Sequence, residues 1–294
     1  MLSKHDLEQW DILNEIEYGY YYDEHYGIGE GDIEFLLSII GSEPKNILEV
    51  CCGSGRIFIP LAKAGHRMTG FDAHYGMLSR LHQKAKGLTN ANNANVKYYY
   101  ADALRHEFET GFDVVLVAFN VIQNIEHIDN HDPANELADY KAAQELFISK
   151  AAKSVKQGGH LFFAFELFTN QSAADCFVGE PSPEWFMNPE EVDMSDAKIN
   201  IYGVRSKHIG DGGAYDPKTQ LARWKNREIR IYPPHGEKII SEYISFKRNL
   251  TLNGARKMLI DNGLEIEQEY GGYRGEPIKE NEHNGAVVFW ARKM

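Results

Sequence analysis

The chain has 294 residues, 43% of them hydrophobic and 25% charged, enough apolar material for one α/β domain with an elaboration. A formal net charge of −12 repels phosphate backbones and argues against a nucleic-acid partner. No apolar run approaches the roughly 18 residues of a membrane span, and the polar N-terminus lacks a signal-peptide core, so the expectation is a cytoplasmic protein without a membrane partner.

Residues 7–26 are rich in aromatic and acidic side chains, with Tyr18, Tyr20, Tyr21, Tyr22 and Tyr26 close together. This stretch is too polar for a plain core helix. It reads either as an amphipathic helix with its phenols at the surface, or as a lid whose rings attract a cation. A second helix follows over 32–40, with Ile33, Leu36, Leu37 and Ile40 on one face.

Asn46 to Arg56 reads N-I-L-E-V-C-C-G-S-G-R: a short apolar strand, then a turn containing Gly53 and Gly55, with Glu49 near the strand's end. Glycines there permit positive φ and let a ligand press on bare backbone. Ile57, Phe58, Ile59, Leu61 and Ala62 then form a buried helix stripe. Phe58 stands where a dinucleotide-binding turn requires a small residue, which argues against that alternative. Adjacent Cys51 and Cys52 read as reduced, small residues lining the turn, and with Cys176 the odd count gives no disulfide framework.

A second strand, Met68 to Phe71, ends at Asp72, 17 positions beyond Gly55 and near the spacing at which a carboxylate reaches ribose hydroxyls. A helix containing Met77 and Leu78 follows, then a polar loop over 87–95 and a third strand, Val96 to Tyr100, leading into Ala101, Asp102 and Ala103. Glu49, Asp72 and Asp102 thus close three successive strands, whose ends line one crevice in an open parallel sheet. Phe112 to Phe119 is a continuous apolar strand running into Asn120, Val121, Ile122, Gln123 and Asn124. The stretch from His127 to Asp132 has no second ligand cluster at a recognisable spacing, so no metal is expected.

Glu136 to Val155 is helical by pattern, stopped by Gln157-Gly158-Gly159, and His160 to Phe165 is a fifth strand ending at Glu166. From Lys198 the period changes to that of strands. Ile199 to His208, Thr219 to Tyr232 and Glu237 to Asn249 read as three antiparallel strands, separated by turns at 210–213 and 233–236. Thr251 caps a helix to Asn262, Gly263 stops it, and Leu264 to Tyr270 and Ala286 to Arg292 supply the last strands.

In this order the stretches resemble the class I S-adenosylmethionine-dependent methyltransferases. The acid-x-x-x-Gly-x-Gly pattern falls on Glu49 to Gly55, F-D-A-x-x-x-M-L on Phe71 to Leu78, and Y-D-x-x-Y on Tyr22, Asp23 and Tyr26. The segment A-F-N-V-I-Q-N-I, residues 118–125, is similar to the F-N-x-x-Q-H element of small-molecule methyltransferases, with Asn124 in place of His. The Asn/Asp-Pro-Pro-aromatic loop of DNA and protein-glutamine enzymes is absent. The resemblance, strongest to glycine- and sugar-amine-type N-methyltransferases, implies a Rossmann-like α/β fold with a seven-stranded, mostly parallel sheet. It further implies a helical lid over 1–44, a cofactor core over 45–197, an inserted antiparallel subdomain over 198–250 that covers substrate or builds a homodimer contact, and a completing tail over 251–294.

The same resemblance implies S-adenosylmethionine as cofactor, with S-adenosylhomocysteine as product. The cofactor would be held by Glu49, Cys51, Cys52, Gly53, Ser54, Gly55, Arg56, Asp72, Ala73, Met77, Asp102, Ala103, Phe119 and Asn120. Glu166 would orient the acceptor or take its proton, with Tyr22 or Tyr26 facing the sulfonium, while Tyr21, Gln123 and Arg223 would touch substrate. Trp224 and Arg227 either join Arg223 or face solvent or a second copy; His25, His127 and His131 are alternative bases. The expected reaction is methyl transfer to a small molecule, at an amine. The alternatives are an O-methyltransferase, a peptide N-terminal methyltransferase, a non-catalytic cofactor-binding protein and a dinucleotide oxidoreductase.

Overall fold

Helix α1 (Lys4–Tyr26) opens the chain and is followed by α2 (Asp32–Ile40), whose Leu36 and Ile40 are buried. The structure is a computed structural model that describes residues 4–26, 31–88, 95–125, 136–169, 180–200, 202–279 and 285–294. Next come β1 (Asn46–Val50), α3 (Phe58–Lys63), β2 (Arg67–Asp72), α4 (Tyr75–Ala85), β3 (Val96–Tyr100) and β4 (Phe112–Val117). Helix α5 (Glu136–Ser154) leads into β5 (Val155–Leu167). Strand β1 pairs in parallel with β2 and β4, β2 with β3, and β4 with β5. Their carboxyl ends therefore share one edge.

Phe58 finds room because Gly70 lies beneath it: a Cβ at Gly70 would sit 2.9 Å from the Phe58 ring and 3.0 Å from Cys52. The bulky residue that argued against a dinucleotide turn is thus a fully buried core side chain. Gln157-Gly158-Gly159, expected as a turn between helix and strand, lies within β5 as an irregularity. Phe112 pairs with Val155 and Val114 with His160, so extra residues bulge out where Gly158 takes φ 74°.

The inserted sheet has five strands where the periodicity indicates three: β6 (Lys198–Ile199), β7 (Arg205–Gly210), β8 (Ala214–Asp216), β9 (Leu221–Tyr232) and β10 (Glu237–Arg248). Its order is β10-β9-β7-β6, with β8 also on β9. The expected strand from Ile199 to His208 breaks at Asn200, whose side-chain oxygen accepts the amides of Tyr202 (3.0 Å) and Val204 (2.9 Å) and closes a turn.

Helix α6 (Leu252–Asp261) starts at Thr251, whose Oγ1 accepts the Gly254 amide. Strands β11 (Leu264–Tyr270) and β12 (Gly285–Lys293) complete the main sheet, antiparallel to one another and to β5, in the order β11-β12-β5-β4-β1-β2-β3. Leu48, Val115, Phe163 and Phe289 fill one face of this sheet and Ile47, Leu116, Phe162 and Val288 the other. Burial of both faces is why these strands read as unbroken apolar runs. Among the described residues no helix is long and apolar enough to cross a membrane.

Candidate active site

After Val50 the chain bends sharply, with positive φ at Cys51 (54°), Gly53 (55°) and Gly55 (80°). A Cβ on Gly53 would meet nothing within 4 Å, so its backbone is open to a ligand; one on Gly55 would lie 2.4 Å from Leu81 Cδ1. The turn is held by its neighbour strand. Cys52 donates its amide to Phe71 O (2.9 Å), and Gly53 donates its own to Asp72 Oδ2 (2.8 Å). Asp72 Oδ1 accepts the His74 amide (2.7 Å). Burial raises the Asp72 pKa against the pull of these His74 and Gly53 amides.

Above the turn lies a hollow of about 530 Å³, within the ordinary range for small-ligand sites. It brings together Glu49, Cys51, Cys52, Gly53, Ser54 and Arg56 from the first strand and its turn. Asp72, Ala73 and Met77 line it from the second βα unit, Phe119 from the β4 end and Tyr22 from α1. Gly55 shapes the turn from within. Burial pushes the Glu49 carboxyl up to about 8, opposed by the Arg56 guanidinium and reinforced by Asp72. Its Oε2 has no hydrogen-bond partner among the described residues. Arg56 pairs with Asp32 of α2 (2.6 Å) with both side chains buried, and its guanidinium stacks 3.4 Å from the Phe119 ring centroid. Burial also holds the Cys51 and Cys52 thiols well above their usual range, with nearby carboxylates adding to it, so both stay protonated.

Phe119 and Asn120 take successive left-handed conformations, φ 56° and 58°, which non-glycine residues adopt only when their surroundings enforce them. Here Asn120 Oδ1 accepts the Glu166 amide and Gln123 Nε2 donates to Glu166 O (2.8 Å). Asn120, Gln123 and Glu166 are therefore brought together, as the brace that presents Phe119 to the hollow, and none of the three lines it. The Glu166 carboxylate acts instead on Tyr273, whose hydroxyl pKa is raised by burial and then by Asp32 and Glu166.

Helix α1 forms the roof. It crosses α4 with backbone nearly touching backbone at Gly19 and Gly76. Asp23 then accepts from Ser54 Oγ (2.6 Å) and Lys84 Nζ (2.6 Å) at Oδ1 and from Arg80 Nε (2.9 Å) at Oδ2. Burial would raise the Asp23 pKa, but the Lys84, Ser54 and Arg80 hydrogen bonds prevail and lower it. Tyr22 beside it has its phenol pKa raised, mainly by burial.

Not every expected residue reaches the hollow. Asp102 closes β3, but its Oδ1 accepts the Leu104 amide (2.8 Å) and caps its own turn, while Ala103 is buried away from the cleft. Arg223 is exposed on β9, opposite Ala214 and Phe246. Tyr21 lines a second hollow between α1 and the inserted sheet, and His25 stacks on Tyr21. Arg227 pairs with Glu242 (2.7 Å), and its guanidinium lies over the Trp185 ring. The side chain of Tyr26, and His127, His131 and Cys176, lie outside the described residues. Tyr18, one of the tyrosines expected in a lid, lines both hollows, as do Glu15 and His74, which the sequence reading missed. The position of His74 two residues after Asp72, at the start of a helix, was the one available signal for it.

A parallel sheet with an acid before a bare-backbone turn, a carboxylate on the next strand fastening that turn, and an aromatic helix overhead define a Rossmann-like site for a cationic adenosyl cofactor. Residues 47–159 match the family model described as a methyltransferase domain. The ubiquinone biosynthesis O-methyltransferase of Hydrogenovibrio crunogenus is 33% identical over 206 residues, covering 66% of this chain and 74% of that protein. The chain belongs to the class I S-adenosylmethionine-dependent methyltransferases. Two solved structures share the fold. An S-adenosylmethionine-dependent methyltransferase from Clostridium acetobutylicum aligns over 94% of this chain and 97% of its own, with TM-score 0.63 and 12% identity. The sugar N-methyltransferase KedS8 from Streptoalloteichus sp aligns over 94% and 93%, with TM-score 0.56 and 14% identity.

The hollow fits this cofactor. The unpartnered oxygen of Glu49 suits the methionyl ammonium, and Gly53 leaves the backbone approach clear. Changing Asp72 to Ala is expected to raise the S-adenosylmethionine Kd at least about tenfold, a loss of ~1.4 kcal/mol, because two turn amides lose their acceptor together. Titration calorimetry measures this, and an unchanged Kd would remove Asp72 from the binding set.

Proposed function

We propose that this enzyme methylates an amine of a small molecule. Glu49 receives the methionyl ammonium and the Arg56 guanidinium its carboxylate, Asp72 reaches the ribose, and Met77 packs on the adenine. Tyr22 and Tyr18 face the sulfonium side. When bound, S-adenosylmethionine supplies a strongly activated methyl group, so holding the acceptor in line provides most of the rate. Asn120, Gln123 and Glu166 act at a distance, by fixing the turn that carries Phe119.

One observation carries the choice of an amine. His74, where the two hollows meet, caps α4 by accepting the Met77 amide at Nδ1 (3.3 Å), so that lone pair is turned to its own helix. That nitrogen therefore has no free lone pair to offer a hydroxyl. Burial raises the Tyr22 phenol pKa and keeps both cysteine thiols protonated. Glu49 is committed to the methionyl ammonium, and the Glu15 carboxylate at the junction suits a cationic amine. An amine needs only to arrive neutral, whereas a hydroxyl needs a base. The second reading, O-methylation, is favoured by the name of the Hydrogenovibrio relative. Matched amine and hydroxyl acceptors, followed by S-adenosylhomocysteine release across pH, separate the two. Turnover of amines, rising with their own deprotonation, is expected; turnover of hydroxyl acceptors with amines silent would overturn the proposal.

A further inference from the structure

We propose that the acceptor is a zwitterion, an amine that also bears a carboxylate or phosphate, held between α1 and the inserted sheet. The inference rests on the amine reading above and adds the second charge. Its basis is a hollow of about 550 Å³ that meets the cofactor hollow at Glu15, Tyr18 and His74.

The α1 wall is acidic, and the sheet wall is net basic, with Lys198 and Arg230 against Glu228. Glu15 and Glu17 stand on the α1 wall, and among the described residues no ion pair engages either. On the facing wall Lys198, Ser206 and Arg230 form one row across three strands, since Lys198 pairs in register with Ser206 and Ser206 with Arg230. Cross-strand neighbours in such a row stand about 4.5–5.5 Å apart, close enough for one anionic group to meet two of them. Arg230 is already bridged to Glu228 (2.8 Å). Lys198 has no carboxylate partner among the described residues and lies over the Tyr21 ring, 5.2 Å from its centroid.

A ligand that spans the hollow and carries both signs meets each wall with its complement, which a singly charged ligand cannot do. The orientation follows from where the hollows join. Glu15 and the Tyr18 ring are at the junction and Lys198 is not, so the amine points at the sulfonium and the anion at the sheet.

The test uses the full chain saturated with S-adenosylhomocysteine and three probes built on one benzyl frame: 4-(aminomethyl)benzoate, benzylamine and 4-methylbenzoate. Calorimetry should give the zwitterion at least about tenfold tighter binding than either singly charged probe. Lys198→Gln should erase the advantage over benzylamine and Glu15→Gln the advantage over 4-methylbenzoate, with S-adenosylhomocysteine affinity unchanged by Lys198→Gln. No binding of the zwitterion, no advantage, or an advantage that survives Lys198→Gln would overturn the inference. Methylation of 4-(hydroxymethyl)benzoate but not of 4-(aminomethyl)benzoate would instead overturn the amine reading beneath it.

Discussion

Replacing Gly76 with alanine is expected to lower kcat/KM by about a hundredfold while leaving the unfolding midpoint of the main sheet nearly unchanged. A Cβ at this position would lie 1.7 Å from the Glu15 carbonyl oxygen and 2.2 Å from its carbon, distances no relaxation of a side chain can relieve. Backbone must move, and the movable partner is α1, which meets the rest of the described fold principally along α4. Overpacking of this kind costs ~1–3 kcal/mol, and ~2.7 kcal/mol corresponds to the stated hundredfold. The displaced helix carries Tyr18, Tyr22 and Glu15 away from both hollows. Gly19→Ala should act more mildly, since one of its two nearest contacts, Arg80 Cγ at 2.8 Å, belongs to a flexible side chain. Full activity in Gly76→Ala would show that the roof takes no part in the reaction.

The second large effect is expected at Glu49. In the free protein its carboxyl is held at about 8 in place of the ordinary 4.5, chiefly by burial. A group with a raised folded-state value binds more protons folded than unfolded, so its stabilising contribution is complete below 4.5 and declines as pH climbs towards about 8. Binding should run the other way. A methionyl ammonium favours the ionised carboxylate, so affinity for S-adenosylmethionine should rise with pH by up to about tenfold per unit below that value and level off above it. Glu49→Gln is expected to flatten both profiles and to weaken binding most at alkaline pH. Calorimetry between pH 6 and 9 with thermal unfolding over the same range reads both on the order of one proton per event. Identical pH slopes in wild type and variant would exclude Glu49 as the ammonium site.

What was legible in the sequence follows the range of the interactions involved. The turn at Cys51 to Gly55 and the cap at Thr251 are decided by neighbours in the chain, and both stand where the local pattern places them. The central strands were equally plain, because burial on both faces leaves an unbroken apolar run. The two-residue β6 and three-residue β8 have too few positions to show a period, and pairing with β7 and β9 creates them. Asp102 illustrates the limit of reading a strand end: its address is right, yet its side chain turns to the Leu104 amide. The site residues contributed by α1 depend on where that helix lies across α4. A run of tyrosines signals that the helix has a wet, aromatic face, and the crossing at two glycines decides which of them look inward.

The three residues that the two hollows share have a kinetic consequence. Glu15, Tyr18 and His74 border both, and a single helix, fastened through Asp23 to the glycine turn and to α4, closes them from above. One swing of that helix unlatches two compartments at once, so departure of the spent nucleoside and of the methylated product would share one gating event and one rate constant.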